Sequence, residues 1–155
     1  MALTCFSAVA SQNIVILSGT PGDYISQGKT NVYSDIQLLS TNKNGVSFTF
    51  SNEKEEMMSA DFIAPGHQML QKGVYDFASR FPFQEDFQPG MNISGAGRGC
   101  NQLGGKYIVR DVHYDTNGNL KDLAVDFIQY CENRTAYLTG TLRYNSLEPI
   151  YFLEK

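Results

Sequence analysis

The chain has no tryptophan, two histidines and three cysteines among its 155 residues. A zinc site wants His, Cys or Asp ligands clustered at short spacings, and Cys100, Cys131, His67 and His113 do not supply them. No metal and no cofactor are therefore expected. An excess of positive charge is missing too. The net charge of −4 excludes non-specific binding to nucleic acid or to an anionic membrane, since both need a cationic surface. Long apolar runs are absent: Ile14-Val15-Ile16-Leu17 is strand-sized, far below the roughly 20 residues of a membrane helix, so no membrane insertion is expected.

Motifs for phosphate and nucleophile chemistry are lacking as well. Gly95-Ala96-Gly97-Arg98-Gly99 invites a phosphate-loop reading, but the residue five before Gly105-Lys106 is Cys100, and Tyr107 follows the lysine. The dinucleotide fingerprint fails at the same Cys100. These glycines are read instead as residues that permit positive φ and close backbone approach in a loop. Ser94 lacks both glycines of a nucleophile elbow. Asp115, Asn117 and Asn119 alternate like calcium ligands, yet Leu120 stands where an EF-hand-like loop needs glycine and no bidentate Glu follows.

What the chain does have is strand and turn chemistry. Ten Phe, nine Tyr and fourteen Gly favour many short strands over helices. Asn13 to Ser18 reads as a first strand, stopped at Gly19-Thr20-Pro21-Gly22-Asp23. Asn31 to Leu39 alternates, with Val32, Ser34, Ile36 and Leu38 on one face and Tyr33, Asp35 and Gln37 on the other. The Asn42-Lys43-Asn44-Gly45 turn leads into Val46-Ser47-Phe48-Thr49-Phe50 and makes a hairpin. Glu53 to Met58 is a charged loop or single helical turn, Ser59 to Ala64 a short strand, and Gly73 opens the strand to Arg80.

The richest stretch runs from Ser94 to Ser146. Asn117-Gly118 is the preferred dipeptide of a two-residue turn, flanked by Lys106 to Asp115 and Asn119 to Tyr130. A two-residue loop pairs Ile108 with Phe127, Arg110 with Val125 and Val112 with Leu123 as the core-facing row. It pairs His113 with Asp122 on the other face. Thr135 to Tyr144 alternates, with Ala136, Leu138, Gly140, Leu142 and Tyr144 inward and Thr135, Tyr137, Thr139, Thr141 and Arg143 outward. The sum is an all-β domain of about eight or nine strands, expected as an antiparallel, jelly-roll-like β-sandwich over residues 13–155. Residues 1–12 form an N-terminal segment whose Ala8-Val9-Ala10 resembles the tail of a secretory signal. A signal remnant and an ordinary frayed start are both open.

Four features are candidates for function. His113 with Asp122, joined by Asp111 and Asp126, forms a candidate polar site. It serves either as a structural cross-strand pair or, with carboxylates acting in pairs, as a hydrolase centre. Phe81, Phe83 and Phe87 lie in a Pro-bearing loop; they either plug one end of the core or form an exposed aromatic patch for a ligand. Cys100 lies in a glycine-rich loop and Cys131 just past a strand end, so both have the freedom to meet. Cys5 is left over, and a Cys100–Cys131 disulfide is expected, which implies an oxidising compartment. The sequons Asn92-Ile93-Ser94 and Asn133-Arg134-Thr135 matter only in a host that glycosylates.

The runs Pro21-Gly22-Asp23-Tyr24-Ile25, Gly95 to Asn101, Asp126-Phe127-Ile128-Gln129-Tyr130-Cys131-Glu132 and Leu142-Arg143-Tyr144-Asn145-Ser146 carry a resemblance. Together they resemble a family of uncharacterised bacterial β-sandwich domains, often exported, over about Ile14 to Ser146. Gly97 to Asn101 and Asp126 to Glu132 are its most specific parts. The resemblance implies fold and export, periplasmic or extracellular, with a cytoplasmic location as the alternative; it carries over no catalytic residue. The expectation is a binding or interaction module for a small ligand, glycan or protein partner. The alternatives are a hydrolase using carboxylates or His113 on an open sheet face, and a purely structural accessory domain.

Overall fold

The computed structural model describes residues 9–42 and 44–154. Cys5 and most of the signal-like segment lie outside that range. Ten strands follow one another: β1 (Gln12–Gly19), β2 (Thr30–Tyr33), β3 (Asp35–Asn42), β4 (Gly45–Ser51), β5 (Met57–Ile63), β6 (Gly73–Arg80), β7 (Gly90–Gly95), β8 (Leu103–Tyr114), β9 (Leu120–Cys131) and β10 (Tyr137–Ser146). No helix forms among the described residues, and so none there is long and apolar enough to cross a membrane.

The fold is all-β, but it is not a two-sheet antiparallel sandwich. The strands join into one sheet in the order β2-β1-β10-β9-β8-β6-β7-β5-β4-β3, with a parallel pair at β6–β7. The reason lies at Ser34. The stretch from Asn31 to Leu39 is two strands, and they occupy opposite edges of the ten-stranded order with one residue between them. A chain that short can link the two edges only if the sheet curls until they meet, and β1 does contact β3. The result is nearly a barrel. The break also reverses the facing of β2: Tyr33 is buried and Val32 is 53% exposed, opposite to an uninterrupted alternation.

One core fills the interior. Phe48, Phe50 and Phe62 from β4 and β5, Tyr107 and Val109 from β8, and Leu123, Val125 and Phe127 from β9 are all buried there. Leu138 and Leu142 face inward from β10 as the alternation predicts, and the Tyr144 ring meets Phe48 edge-on at 5.2 Å. The β8–β9 hairpin keeps Val112 opposite Leu123 and His113 opposite Asp122, although its loop spans 115–119 rather than two residues. Below these pairs the register differs from the two-residue expectation. A bulge between Val109 and Asp111 sets Arg110 outside the ladder, so Ile108 pairs with Asp126 and Tyr107, not Ile108, meets Phe127. Arg110 would have placed a guanidinium in the core row. The extra residue turns it outward to a carboxylate instead.

Strands β6 and β7 pair only through Ser79–Gly90 and Arg80–Met91. Further along β7, Gln129 replaces the missing neighbour: its Oε1 accepts from Ile93 N at 2.8 Å and its Nε2 donates to Ile93 O at 2.9 Å. The same Nε2 reaches Cys100 Sγ at 3.4 Å. Cys100 is disulfide-bonded to Cys131, with the Cα atoms 5.1 Å apart. The bridge thus fastens the glycine-rich loop to the end of β9 beside this weak seam.

Two of the three cysteines are consumed by this bond, so denatured, unreduced protein should titrate one free thiol. Reduction should lower stability by about 3–4 kcal/mol, the loop-closure contribution of a crosslink spanning some 30 residues, read as a shift in urea midpoint. Three thiols in the unreduced protein would contradict the bridge.

Candidate functional site

The outer surface of the hairpin carries the polar residues singled out in the sequence. Asp111 and His113 alternate on β8 and so share a face, while Asp122 lies directly across from His113 on β9. The His113 Nδ1 is 2.7 Å from Asp122 Oδ1 and 3.8 Å from Asp111 Oδ2. Its side chain is 59% exposed, and the three residues form an open cluster on the strand surface. Hydrogen bonding to Asp122, together with the charges of Asp122 and Asp111, raises the His113 pKa above the ordinary histidine value.

Asp126 does not join this cluster. It lies on the same outer face, yet it is fully buried. Its Oδ2 accepts from Arg110 Nε at 2.7 Å; its Oδ1 accepts from Arg143 Nη2 and from the Thr141 hydroxyl, both at 2.8 Å. Thr141 and Arg143 point outward on β10, as the alternation predicts, but they too are buried. The segment 147–154 is what covers them. Carbonyls of Glu148 and Pro149 accept from Arg143, the Thr139 hydroxyl donates to Leu153 O at 3.1 Å, and the Tyr151 ring lies 5.2 Å from the Arg110 guanidinium. With Val125 O and Leu142 O also accepting, the Arg143 guanidinium is satisfied on every nitrogen. Asp126 is thus a structural anchor and offers no free carboxylate for catalysis.

The loop after β6 does not plug the core. Phe83 is 73% and Phe87 76% exposed, with Phe81 half-buried. Arg80 stacks over the Phe83 ring at 5.0 Å. Beside this loop lies a groove of about 660 Å³ on the outer face of β6, β8 and β9. Gly104, Gly105 and Ile128 line it together with Tyr130 and Phe77, and Gln88, Asn133, Arg134, Asp76 and Lys106 supply polar groups.

Phe77 is the residue the sequence did not mark. Tyr75 pairs with Tyr107 and Ala78 with Gly105, so Asp76 and Phe77 together oppose Lys106 in a bulge. Phe77 has φ of 56° and is 84% exposed. A bulky side chain in the left-handed region is a true outlier. No glycine, Asn-Gly pair or proline marks the bulge in sequence, and unbroken alternation would give Phe77 the same facing as Tyr75.

The Gly95–Gly99 loop is structural, as read from the sequence. Gly95 has φ of 146°, and a Cβ there would come within 2.5 Å of Met57 O. The close approach brings Arg98 onto Ile25 O at 2.8 Å and onto Glu56 at 3.2 Å. Glu56 also accepts from the Tyr33 hydroxyl, and burial with that carboxylate raises the tyrosine pKa. These groups border a polar groove of about 490 Å³ at the β2–β3 edge.

Two outcomes follow. Asp126→Asn should cost about 3–5 kcal/mol in urea unfolding, because it leaves the buried Arg143 cation without its counter-charge. His113 should titrate by NMR with a midpoint above an ordinary histidine, and Asp122→Asn should bring it down. The sign follows from the raised folded pKa. The ion pair contributes fully below the unfolded pKa and is lost as pH rises through the folded value. No protein-family model, curated protein or solved structure matches the chain, so its function rests on its own geometry.

Proposed function

We propose that this protein is a non-catalytic binding module that holds an oligosaccharide in the groove beside β6. Phe77 carries the reading. A non-glycine residue in the left-handed region costs on the order of 1–3 kcal/mol, and the fold spends that to present an aromatic ring to solvent. Bulges commonly re-aim a side chain beside a binding site. Here the re-aimed ring and Tyr130 give the apolar faces on which a sugar's C–H surface stacks. Gly104 leaves the floor open, since a Cβ there would meet nothing within 4 Å. Gln88, Asn133, Lys106, Arg134 and Asp76 provide donors and acceptors around the apolar centre, the usual division in a ligand groove.

The Cys100–Cys131 bridge is compatible with an oxidising compartment, so the module is read as exported, periplasmic or extracellular. Its resemblance to often-exported bacterial domains agrees with that. A protein partner is the second reading, favoured by the exposed Phe83 and Phe87. The hydrolase reading has less support, because Asp126 is saturated by Arg110, Arg143 and Thr141.

Affinity gels cast with neutral and acidic soluble polysaccharides test the proposal. The wild-type protein should be retarded by at least one of them. Phe77→Gly should lower that affinity at least about tenfold, roughly 1.4 kcal/mol. Because glycine adopts positive φ freely, the same change should raise stability by about 1 kcal/mol. Undiminished retardation of Phe77→Gly, or no retardation of the wild type by any polysaccharide, would remove the oligosaccharide reading.

A further inference from the structure

We propose that Asp111, His113 and Asp122 bind a divalent transition-metal ion of the zinc class on the outer face of the β8–β9 hairpin. The site is separate from the groove and from the buried Asp126 cluster. One ligand atom from each residue lies within 4.8 Å of the other two, the Nδ1 of His113 being 2.7 Å from Asp122 and 3.8 Å from Asp111. An ion about 2.0–2.2 Å from each nitrogen and oxygen would hold those atoms roughly 3–3.5 Å apart. The two spacings to His113 lie on either side of that value, and the two carboxylates are within 4.8 Å of each other.

The backbone already fixes the arrangement. Two residues alternate on one strand and the third is the cross-strand partner of one of them, which places three donors on a single rigid face. Charge favours a cation there. Among the described residues the only ionic partner of Asp111 and of Asp122 is His113. Arg110, the cation on the same strand next to Asp111, is turned by the bulge onto Asp126. Two carboxylates and a neutral imidazole would balance a divalent charge. The imidazole selects zinc-class ions over calcium or magnesium, which take oxygen ligands. Three protein donors leave at least one position for water, and the exposure of His113 gives the ion access from solvent.

The test uses full-length protein in a Cys5→Ser background, so that the remaining thiol does not compete, after dialysis against a chelator. Calorimetric titration with Zn²⁺ should find one equivalent bound. His113→Gln and Asp111→Asn should each weaken binding at least about tenfold. His67→Gln, the control for a lone surface histidine, should leave it unchanged. In amide spectra of the wild type, substoichiometric Ni²⁺ should broaden resonances around Asp111, His113 and Asp122 first. All these sites are exposed or half-buried, and thermal unfolding of each variant checks that the fold persists. Absence of zinc binding, binding that survives His113→Gln, or broadening centred elsewhere would overturn the assignment.

Discussion

The charge pairing at Asp126 is the interaction on which most of the outer wall depends. A carboxylate with no exposed surface must find its hydrogen bonds inside the protein, and Asp126 finds three, from two arginines and a threonine. One of those arginines, Arg110, reaches it because an extra residue interrupts β8. That interruption sets the register of every pair below it in the hairpin. The other, Arg143, has donors left over, and carbonyls of Glu148 and Pro149 take them up. The segment after β10 is therefore held across the wall by donors of a buried guanidinium that Asp126 does not use. This helps bury the outer face of β9, where Ala124, Asp126 and Ile128 have almost no exposed surface.

That cluster also marks the limit of what alternation can disclose. Period-two patterning identifies which residues share a face; it says nothing of what covers the face. Leu138 and Leu142 were legible as core because no other placement suits them. Arg143 and Thr141 were legible as outward, and they are, but their burial depends on a tail whose sequence, Leu147 to Glu154, carries no strand signal. The break at Ser34 hides for a related reason. Asn31 to Leu39 alternates without interruption on paper, so one long strand and two short ones at opposite sheet edges look alike. Nothing local records that the sheet must close. The all-β class survives because turn residues announce themselves; the count of eight or nine strands and the sandwich did not, because the split at Ser34 and the closure it forces are properties of the connections.

The candidate sites divide along the same line. His113 and Asp122 were found because a register shift between Tyr114 and His113 offsets the longer loop and restores, at His113–Asp122 and Val112–Leu123, the pairing that a two-residue turn gives. Asp111 followed from its place two residues away. Asp126 was drawn into the same group by proximity in sequence, and its burial among Arg110, Arg143 and Thr141 sets it apart. Phe77 was invisible: an aromatic residue in a β-rich run is the ordinary stuff of cores, and only its positive φ separates it from Tyr75.

A cluster of buried apolar side chains fills the interior. In barrels that carry ligands inside, the core is hollow at one end. Here the Phe62 ring meets Tyr107 at 5.2 Å and Phe127 at 5.5 Å, with Tyr107 stacked on Tyr75 and its hydroxyl donating to Ile63 O at 2.6 Å. Burial holds the Tyr107 pKa high, so it stays a neutral donor. The groove beside β6 lies on the outside of the wall, where the two bulges also fall. The bulge at Arg110 turns that cation onto Asp126 and away from Asp111. The bulge at Asp76–Phe77 exposes a ring beside a glycine floor. Each irregularity interrupts a ladder, and each changes which side chains face outward on β6, β8 and β9.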